Sequence, residues 1–252
     1  MRTMKPPIWK TSKDQSVRVL RYHEAKTLIA NISNESDLQQ WNMKTEASES
    51  TVRTWVMALL FTGCRVSELI KIHEHPELLQ SDGTYLASRN IFYDSGKKKQ
   101  IAQERVIYFS DMGIPIIKRF FDTERIADTQ EHVNSVLNAL LRTSALISGF
   151  EQREFTFIEN GISGKRLTTG VSVRSFRKTW DSWLVNSFHS DPFALMIAEK
   201  SMGHSMATAM KHYLTMQYDE EDMADIRKAT KGFGLHPDKT ATVEPTAENT
   251  PS

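Results

Sequence analysis

The chain has 252 residues, 39% of them hydrophobic, which suffices for one large domain or two small ones with a packed core. Its 32 Lys and Arg residues balance 31 Asp and Glu, so the net charge of +1 is no argument for a nucleic-acid partner. No apolar run is as long as a membrane span or the core of a signal peptide. A single cysteine excludes an internal disulfide. These observations predict a cytoplasmic protein without a membrane partner.

Helical periodicity dominates the first part of the chain. Residues 1–16 carry two prolines and are predicted to form an irregular arm, and a helix is predicted at 21–32. A polar connection leads to 51–61, where apolar residues recur at helical spacing. The core-facing stripe predicted there consists of Val52, Trp55, Val56, Leu59 and Leu60. Gly63 ends this helix, and another begins at Arg65.

One region has the character of strands. "YLASRNIFYDSG" (85–96) and "QERVIYF" (103–109) are rich in aromatic and β-branched residues and flank a Gly-Lys turn, which predicts a hairpin. Further helices are predicted within 113–126, 131–150, 176–188, 192–202, 207–216 and 223–230. Residues 235–252 are rich in Pro, Thr and Glu and are predicted to be a disordered tail. The sequence therefore predicts a mostly α domain at 17–234 with one small antiparallel β-sheet.

The first candidate functional motif is "FTGCRVSELIKI" (61–72). Gly63 lets the backbone turn sharply, and Arg65 stands at the start of the next helix, where backbone N–H groups already favour an anion. Cys64 and the aliphatic residues of the motif are predicted to face the core. For this motif in isolation, a surface arginine beside a turn is the simpler interpretation.

The second motif is "RSFRKTWDSWLV" (174–185). Its apolar stripe consists of Phe176, Trp180, Trp183 and Leu184. Arg174, Arg177 and Lys178 cluster at the beginning of the same helix. A helix N-terminus repels cations, so three of them indicate an anion bound there, unless they are solvated charges around a buried aromatic face.

The third motif is "SMGHSMATAMKHYLTM" (201–216). Gly203 and His204 form a corner, and Tyr213 follows His204 by nine residues in a stretch that is predicted to be helical from about Ser205. In that helix, His204 can reach a group that the oxygen of Tyr213 also approaches. Taken alone, the stretch is equally typical of a plain turn and a packed tyrosine.

In this order and at these separations, "TGCRVSELIKI", "FRKTWDSWLV" and "MGHSMATAMKHY" resemble the three motifs of the tyrosine recombinases, the phage-integrase family. In that family an Arg lies in a TG-x-R-x-SEL motif, a second Arg in H-x-L-R-H-T, and Gly-His precedes the nucleophilic Tyr by this spacing. The resemblance covers about residues 21–231. It implies the catalytic-domain fold of DNA breaking-rejoining enzymes and a site-specific recombinase that uses no cofactor and no metal.

The resemblance also implies roles for the matching residues. Arg65 and Arg177 would hold the scissile phosphate, and His204 would donate a hydrogen bond to it. Tyr213 would be the nucleophile and would keep the DNA end in a 3′-phosphotyrosyl intermediate. The bond energy would be conserved in that link, which agrees with the lack of a phosphate-binding Gly-rich loop.

A lysine at the tip of the family's β-hairpin protonates the leaving 5′ oxygen. Lys97 in "GKKKQIAQERVIYF" matches it directly, although the loop is longer here, and Lys98 and Lys99 stay open as alternatives and as DNA-binding residues.

Two positions of the second motif depart from the family. Arg174 stands where the family usually has His, and an arginine cannot act as a general base because it has no acceptor, so Arg174 is assigned to phosphate stabilisation. Lys178 replaces a second His and is assigned to DNA binding. The proton acceptor for Tyr213 stays open, since His212 points off another side of the predicted helix.

The implied partners are double-stranded DNA attachment sites, a homotetramer on two synapsed duplexes, and accessory DNA-bending proteins, in the integration or excision of a mobile element or virus. Only about fifty residues precede the first motif, so we expect a catalytic domain nearly alone. The alternatives are a catalytically weak or inactive DNA-binding relative, a relaxing topoisomerase, and an unrelated helical protein with accidental matches.

The stretch "YDEEDMAD" (218–225) concentrates five acids near the end of the chain. We interpret it as a solvated helix face. In the family, the segment after the tyrosine docks on a neighbouring protomer, and the resemblance suggests the same for Asp222–Thr230.

Overall fold

The computed structural model describes residues 17–33, 45–81, 83–88, 105–159, 162–203 and 218–234. Within these ranges the chain is mostly helical and contains two antiparallel pairs of strands. The helices are α1 (Tyr22–Ala30), α2 (Glu49–Thr62), α3 (Val66–His73), α4 (Gly113–Phe121), α5 (Gln130–Ile147), α6 (Val173–Phe188), α7 (Pro192–Met202) and α8 (Glu220–Thr230), with a 3₁₀ turn at Pro76–Leu78. The strands are β1 (Tyr85–Ser88), β2 (Arg105–Tyr108), β3 (Arg153–Glu159) and β4 (Ile162–Thr168). The predicted fold class, mostly α with small antiparallel β-structure, is confirmed.

Helix α2 shows why the helical predictions succeeded. Its N-cap Ser48 accepts a hydrogen bond from the backbone N–H of Thr51 at 3.1 Å. It ends at Gly63, which adopts the left-handed conformation at φ 60°. The predicted stripe is buried throughout, between 0% and 3% exposed. Periodicity, a capping serine and a terminal glycine together define the element.

The core is organised around α6, which packs against α2, α5, α7 and α8. Its predicted aromatic stripe is fully buried. The ring centroid of Trp180 lies 5.5 Å from that of Phe61 in α2 and 5.7 Å from that of Phe233 beyond α8. Burying a large apolar side chain contributes about 1.5–3 kcal/mol, so α6 is the element that holds the other helices in place.

Helix α6 begins at Val173, earlier than the predicted start at 176. The hydroxyl of Ser175 accepts a hydrogen bond from the backbone N–H of Ser172 at 3.1 Å, which closes the first turn. Helix α4 is shorter than predicted, because it ends at Phe121 and not near residue 126.

The first hairpin pairs β1 with β2, from Tyr85 opposite Tyr108 to Ser88 opposite Arg105. The chain between these strands, including Lys97, lies outside the described residues. The prediction of an antiparallel pair here is confirmed for the described strands.

The second hairpin, β3 with β4, was not predicted, and the expectation of a single sheet is wrong. The two strands pair from Arg153 opposite Thr168 to Glu159 opposite Ile162. The sequence carries the signal, since "REFTFIE" alternates in polarity and Asn160-Gly161 follows it. Asn-Gly between alternating strands is the strongest short hairpin signal.

The C-terminal helix α8 packs on α1 and α6 of its own chain. Ile226 and Ala229 are fully buried there, and so is nearly all of Asp222, at 4% exposed. The interpretation of the acidic stretch as a solvated face is therefore wrong at Asp222, because this carboxylate is paired with α1.

The predicted arm at 1–16, the predicted helix at 207–216 and the predicted tail at 235–252 lie outside the described residues. Among the residues that are described, no helix combines the length and the apolar character needed to traverse a membrane.

Candidate active site

Glu68 organises the start of α3. Its side chain is only 5% exposed, and one carboxylate oxygen accepts a hydrogen bond from the backbone N–H of Arg65 at 2.8 Å. The other oxygen accepts from Nη1 of Arg65 at 2.9 Å. The Arg65 side chain is itself 59% exposed, so its guanidinium is held at the surface while remaining open to a ligand.

Arg177 reaches the same carboxylate from α6. Its Nη1 lies 3.8 Å from Oε2 of Glu68, and its side chain is 16% exposed. The structure thus brings Arg65 and Arg177, which are far apart in the sequence, to opposite oxygens of one buried carboxylate. Two guanidinium groups against one carboxylate leave a net positive charge, which favours an anion at this place.

The terminal nitrogens of Arg177 also join two helix ends. Nη1 donates to the carbonyl of Gly63 at 2.6 Å, and Nη2 donates to the carbonyl of Met202 at 2.5 Å. Gly63 follows α2 and Met202 is the last residue of α7, and carbonyls at helix C-termini carry partial negative charge and lack helical partners. Arg177 therefore fixes the ends of α2 and α7 relative to α6.

Gly63 permits this close approach. Besides its positive φ, a Cβ at this position would lie 2.6 Å from Sδ and Cε of Met202 and 3.0 Å from Cδ1 of Trp180. A side chain fits here only if the end of the Met202 side chain moves, so close packing favours the glycine of the first motif in addition to the backbone conformation, which requires it.

Helix α7 leads the chain to the third motif. The Oδ1 of Asp191 accepts from the backbone N–H groups of Phe193 and Ala194 at 3.0 and 3.1 Å and caps its start. Gly203 ends it at φ 68°. Since the carbonyl of Met202 is bound by Arg177, the chain lies beside this arginine two residues before His204.

Of the other basic candidates, Arg174 is exposed on the first turn of α6 and Lys178 is partly buried one turn further on. Residues three or four apart share a helix face, so Arg174 lies on the side of α6 that carries Arg177. His204, Tyr213, Lys97, Lys98 and Lys99 lie outside the described residues.

The role of Glu68 is not among the predictions made from the sequence. Its signal was present, because an acidic residue three positions after a helix N-cap is a capping pattern. The capping pattern does not predict the second partner of Glu68, Arg177, because the packing of α6 against the start of α3 brings this arginine to it. In the described part of the chain, no group of three or more His, Cys, Asp or Glu residues is arranged to hold a metal ion.

Neither a protein-family model nor a curated protein sequence matches this chain. Among solved structures, the chain is similar to a fragment of the Tn1549 transposon integrase in complex with circular intermediate DNA, with a TM-score of 0.48, 14% identity, and coverage of 87% of this chain and 66% of that one. It is also similar to a Tyr→Phe variant of that integrase in complex with transposon right end DNA, with a TM-score of 0.47, 14% identity, and coverage of 86% and 65%. The chain thus spans about two thirds of the length of these integrase chains.

Proposed function

We propose that this chain is the catalytic part of a site-specific DNA recombinase of the tyrosine recombinase family. The observation that carries the proposal is the meeting of the three sequence motifs at Arg177. This arginine of the second motif contacts Glu68 and Gly63 of the first motif and Met202 of the third. A random match of three short patterns gives no reason for such a meeting.

The proposed chemistry suits the groups. Breaking a DNA phosphodiester without a metal requires neutralisation of the charge that develops on the non-bridging oxygens. Guanidinium groups stay protonated and bind two oxygens at once. In the proposal, Arg65 and Arg177 bind the scissile phosphate, with Arg174 adding positive charge from the adjacent turn.

A guanidinium carries five N–H donors, so binding two carbonyls is compatible with Arg177 also binding a phosphate oxygen. The carbonyls and Glu68 would then hold Arg177 in a fixed orientation before DNA arrives. Such preorganisation is how charged groups stabilise a transition state without reorganising during the reaction.

The remaining roles rest on the resemblance. Tyr213 is proposed to attack the phosphorus and hold the 3′ end covalently, while His204 hydrogen bonds to the phosphate. Lys97, or one of its neighbours Lys98 and Lys99, is proposed to protonate the leaving 5′ oxygen. The proton acceptor for Tyr213 is left unassigned.

The proposed substrate is a pair of duplex DNA attachment sites held by four protomers, and the proposed setting is the cytoplasm, in association with DNA. Integration or excision of a mobile element is the proposed biological role. Lys178 is assigned to DNA contact, and accessory DNA-bending proteins remain part of this proposal.

The test is covalent capture. The purified chain is incubated with a pool of nicked, labelled duplexes of random sequence, then denatured, and protein that keeps its label is recovered. Wild-type protein is expected to retain DNA, and Tyr213→Phe to retain none while still shifting DNA in a native gel. Tyr108→Phe is the matched control, because Tyr108 is a partly buried tyrosine of the hairpin and no step of the proposed reaction uses it. Adduct formation by Tyr213→Phe at the wild-type level would refute the assignment.

The second candidate is an inactive DNA-binding relative. It is favoured by the two hydrogen bonds of Arg177 to backbone carbonyls, which are also what a purely structural arginine would make. The same experiment separates the two, since this relative would bind DNA in the native gel and leave no labelled protein after denaturation.

A further inference from the structure

Helix α5 lies beside both helices that carry the proposed phosphate-binding arginines. It packs on α3, which begins directly after Arg65, and on α6, which carries Arg177. The core-facing side of α5 is apolar and fully buried, and consists of Val133, Val136, Leu137, Leu140 and Leu141. The other side, called the open face from here on, carries Asn134, Asn138 and Arg142.

Asn138 fixes the open face next to the first turn of α6. Its Oδ1 accepts from the backbone N–H of Val173, the first residue of α6, at 3.2 Å. Its Nδ2 donates to the backbone carbonyl of Asn134 at 2.7 Å and to Oδ1 of the same residue at 3.3 Å. Arg174 follows Val173 and is exposed. The open face of α5 therefore continues into the surface that carries this arginine.

The open face consists of residue types that read bases. Asn134, Asn138 and Arg142 recur every four residues, so they form one line along the helix. Asn134 and Arg142 are exposed, and Asn138 is partly exposed. In the major groove, arginine binds guanine and asparagine binds adenine, each through two hydrogen bonds. Residues 132–150 contain no Asp or Glu, so Glu131 in the first turn is the single carboxylate of α5 that would repel a phosphate backbone.

Helix stability does not explain an asparagine on this face. Asparagine is among the weaker helix formers, and exposed positions are where a stronger helix former such as Glu, Lys or Gln costs nothing in packing. Asn138 is explained by its bond to α6. Within the described residues, the side chain of Asn134 forms a hydrogen bond only inside α5. A departure from local preference without a structural gain is typical of a functional position.

We propose that the open face of α5 reads the DNA sequence beside the phosphate bound by Arg65 and Arg177, with Asn134 and Arg142 as the base-contacting residues. The inference rests on the proposed function and assigns its sequence preference to particular side chains. The major groove of duplex DNA is about 12 Å wide and admits one α-helix. Asn134 and Arg142 are eight residues apart, which is about 12 Å along the helix axis and corresponds to about three or four base pairs at ~3.4 Å each.

The experiment measures sequence preference through binding, without strand cleavage. The full chain is incubated with duplexes that carry a randomised stretch, bound DNA is recovered from native gels, and the enriched sequence is compared with a scrambled version of it. The quantity measured is the ratio of the Kd for the scrambled duplex to the Kd for the enriched duplex, at one fixed salt concentration.

Arg142→Gln and Asn134→Ala are each expected to lower this ratio about tenfold, because one bidentate contact to a base provides discrimination of this size. When the selection is repeated with each variant, base preference should be lost at one or two positions. The positions lost in the two variants should lie within about four base pairs of each other. Binding of Asn134→Ala to the scrambled duplex should stay within about twofold of wild type, since no charge is removed.

Two matched controls each remove one exposed arginine. Arg174 is proposed to contact phosphate, so Arg174→Gln should weaken binding to both duplexes alike and leave the ratio unchanged. Arg125 pairs at 2.8 Å with Glu74, which follows the end of α3 opposite Arg65, and Arg125→Gln should change neither Kd. Because Asn134 and Arg142 are exposed, their variants are expected to keep the wild-type Tm within roughly 3 °C.

The outcomes are distinguishable. If the wild type enriches a sequence and neither variant of α5 lowers the ratio, base reading by α5 is overturned and the proposed function stands. If Arg174→Gln lowers the ratio as much as the variants of α5, the effect is not specific to the open face and the inference is also overturned. If the wild type binds DNA without enriching any sequence, α5 reads no bases, and covalent capture decides the proposed function separately. If the wild type binds no DNA, the proposed function fails and this inference fails with it.

Discussion

The carboxylate of Glu68 can be tested with the substitution Glu68→Gln, which keeps the shape of the side chain and removes its charge. The amide oxygen of glutamine can still accept the hydrogen bond from the backbone N–H of Arg65. The NH₂ group of the glutamine would then face the Arg65 guanidinium, which lies 2.9 Å from the carboxylate in the wild-type chain. Both groups are hydrogen-bond donors, so they cannot bond to each other. The negative charge 3.8 Å from Nη1 of Arg177 would be lost as well.

The expected magnitude follows from burial. A hydrogen bond to a charged group contributes about 1.5–3 kcal/mol. The Arg65 side chain is 59% exposed, so solvent screening weakens its share, whereas the partner Arg177 is only 16% exposed. We expect the free energy of unfolding to fall by about 2 kcal/mol, which lowers Tm by roughly 4–8 °C for a chain of this size.

The assay is thermal denaturation followed by circular dichroism, with Glu74→Gln as the matched control. Glu74 pairs with Arg125 at 2.8 Å, but these side chains are 46% and 35% exposed, so its loss should cost less than about 1 kcal/mol. Added salt should remove the effect of the control and leave most of the effect at Glu68. A Tm for Glu68→Gln no lower than that of the control would refute the argument that this carboxylate holds the two arginines.

Three other substitutions give independent predictions. Gly63→Ala places a methyl group against Met202 in a left-handed backbone conformation and should lower the free energy of unfolding by about 2–4 kcal/mol in urea denaturation; an unchanged midpoint would contradict the packing described here. Arg177→Lys removes the planar guanidinium and should slow covalent DNA attachment about 100-fold. Arg174→Lys, at the exposed neighbouring position, should slow it less. Equal effects of the two substitutions in a single-turnover assay would count against the proposed roles. Because burial raises the pKa of Tyr218 to about 12 in the folded chain and the pKa is lower in the unfolded chain, the unfolded state loses this proton first, so stability is unaffected below pH 10 and falls between pH 10 and 12. Urea midpoints at pH 9 and 11 should therefore drop more for wild type than for Tyr218→Phe, and parallel drops would show that Tyr218 is not buried as described.

The buried faces of the helices could be predicted from the sequence because they depend on local periodicity. The stripes of α2 and α6 recur every three or four residues, and a capping serine or a glycine marks their ends. The strands β3 and β4 also have a local signal, the alternation before Asn160-Gly161, although they are not among the predicted elements.

The pairings of charged groups could not be predicted in the same way. Glu68 and Asp222 look like surface acids in the sequence, yet both are buried, because each meets an arginine brought from a distant part of the chain. A charge is buried only where its partner is present, and the partner is decided by how the helices pack. The local sequence pattern predicts which face of a helix is apolar, but it does not predict which charged side chains form ion pairs.

Arg65, Arg177 and Tyr213 are proposed to act at one place to break a DNA strand. The most direct measurement is mass spectrometry of the protein after covalent capture and digestion of the DNA. We expect a nucleotide attached through phosphate to Tyr213, in an amount that falls sharply in Arg65→Lys and Arg177→Lys. Attachment at a different residue, or an unchanged amount in both arginine variants, would contradict it.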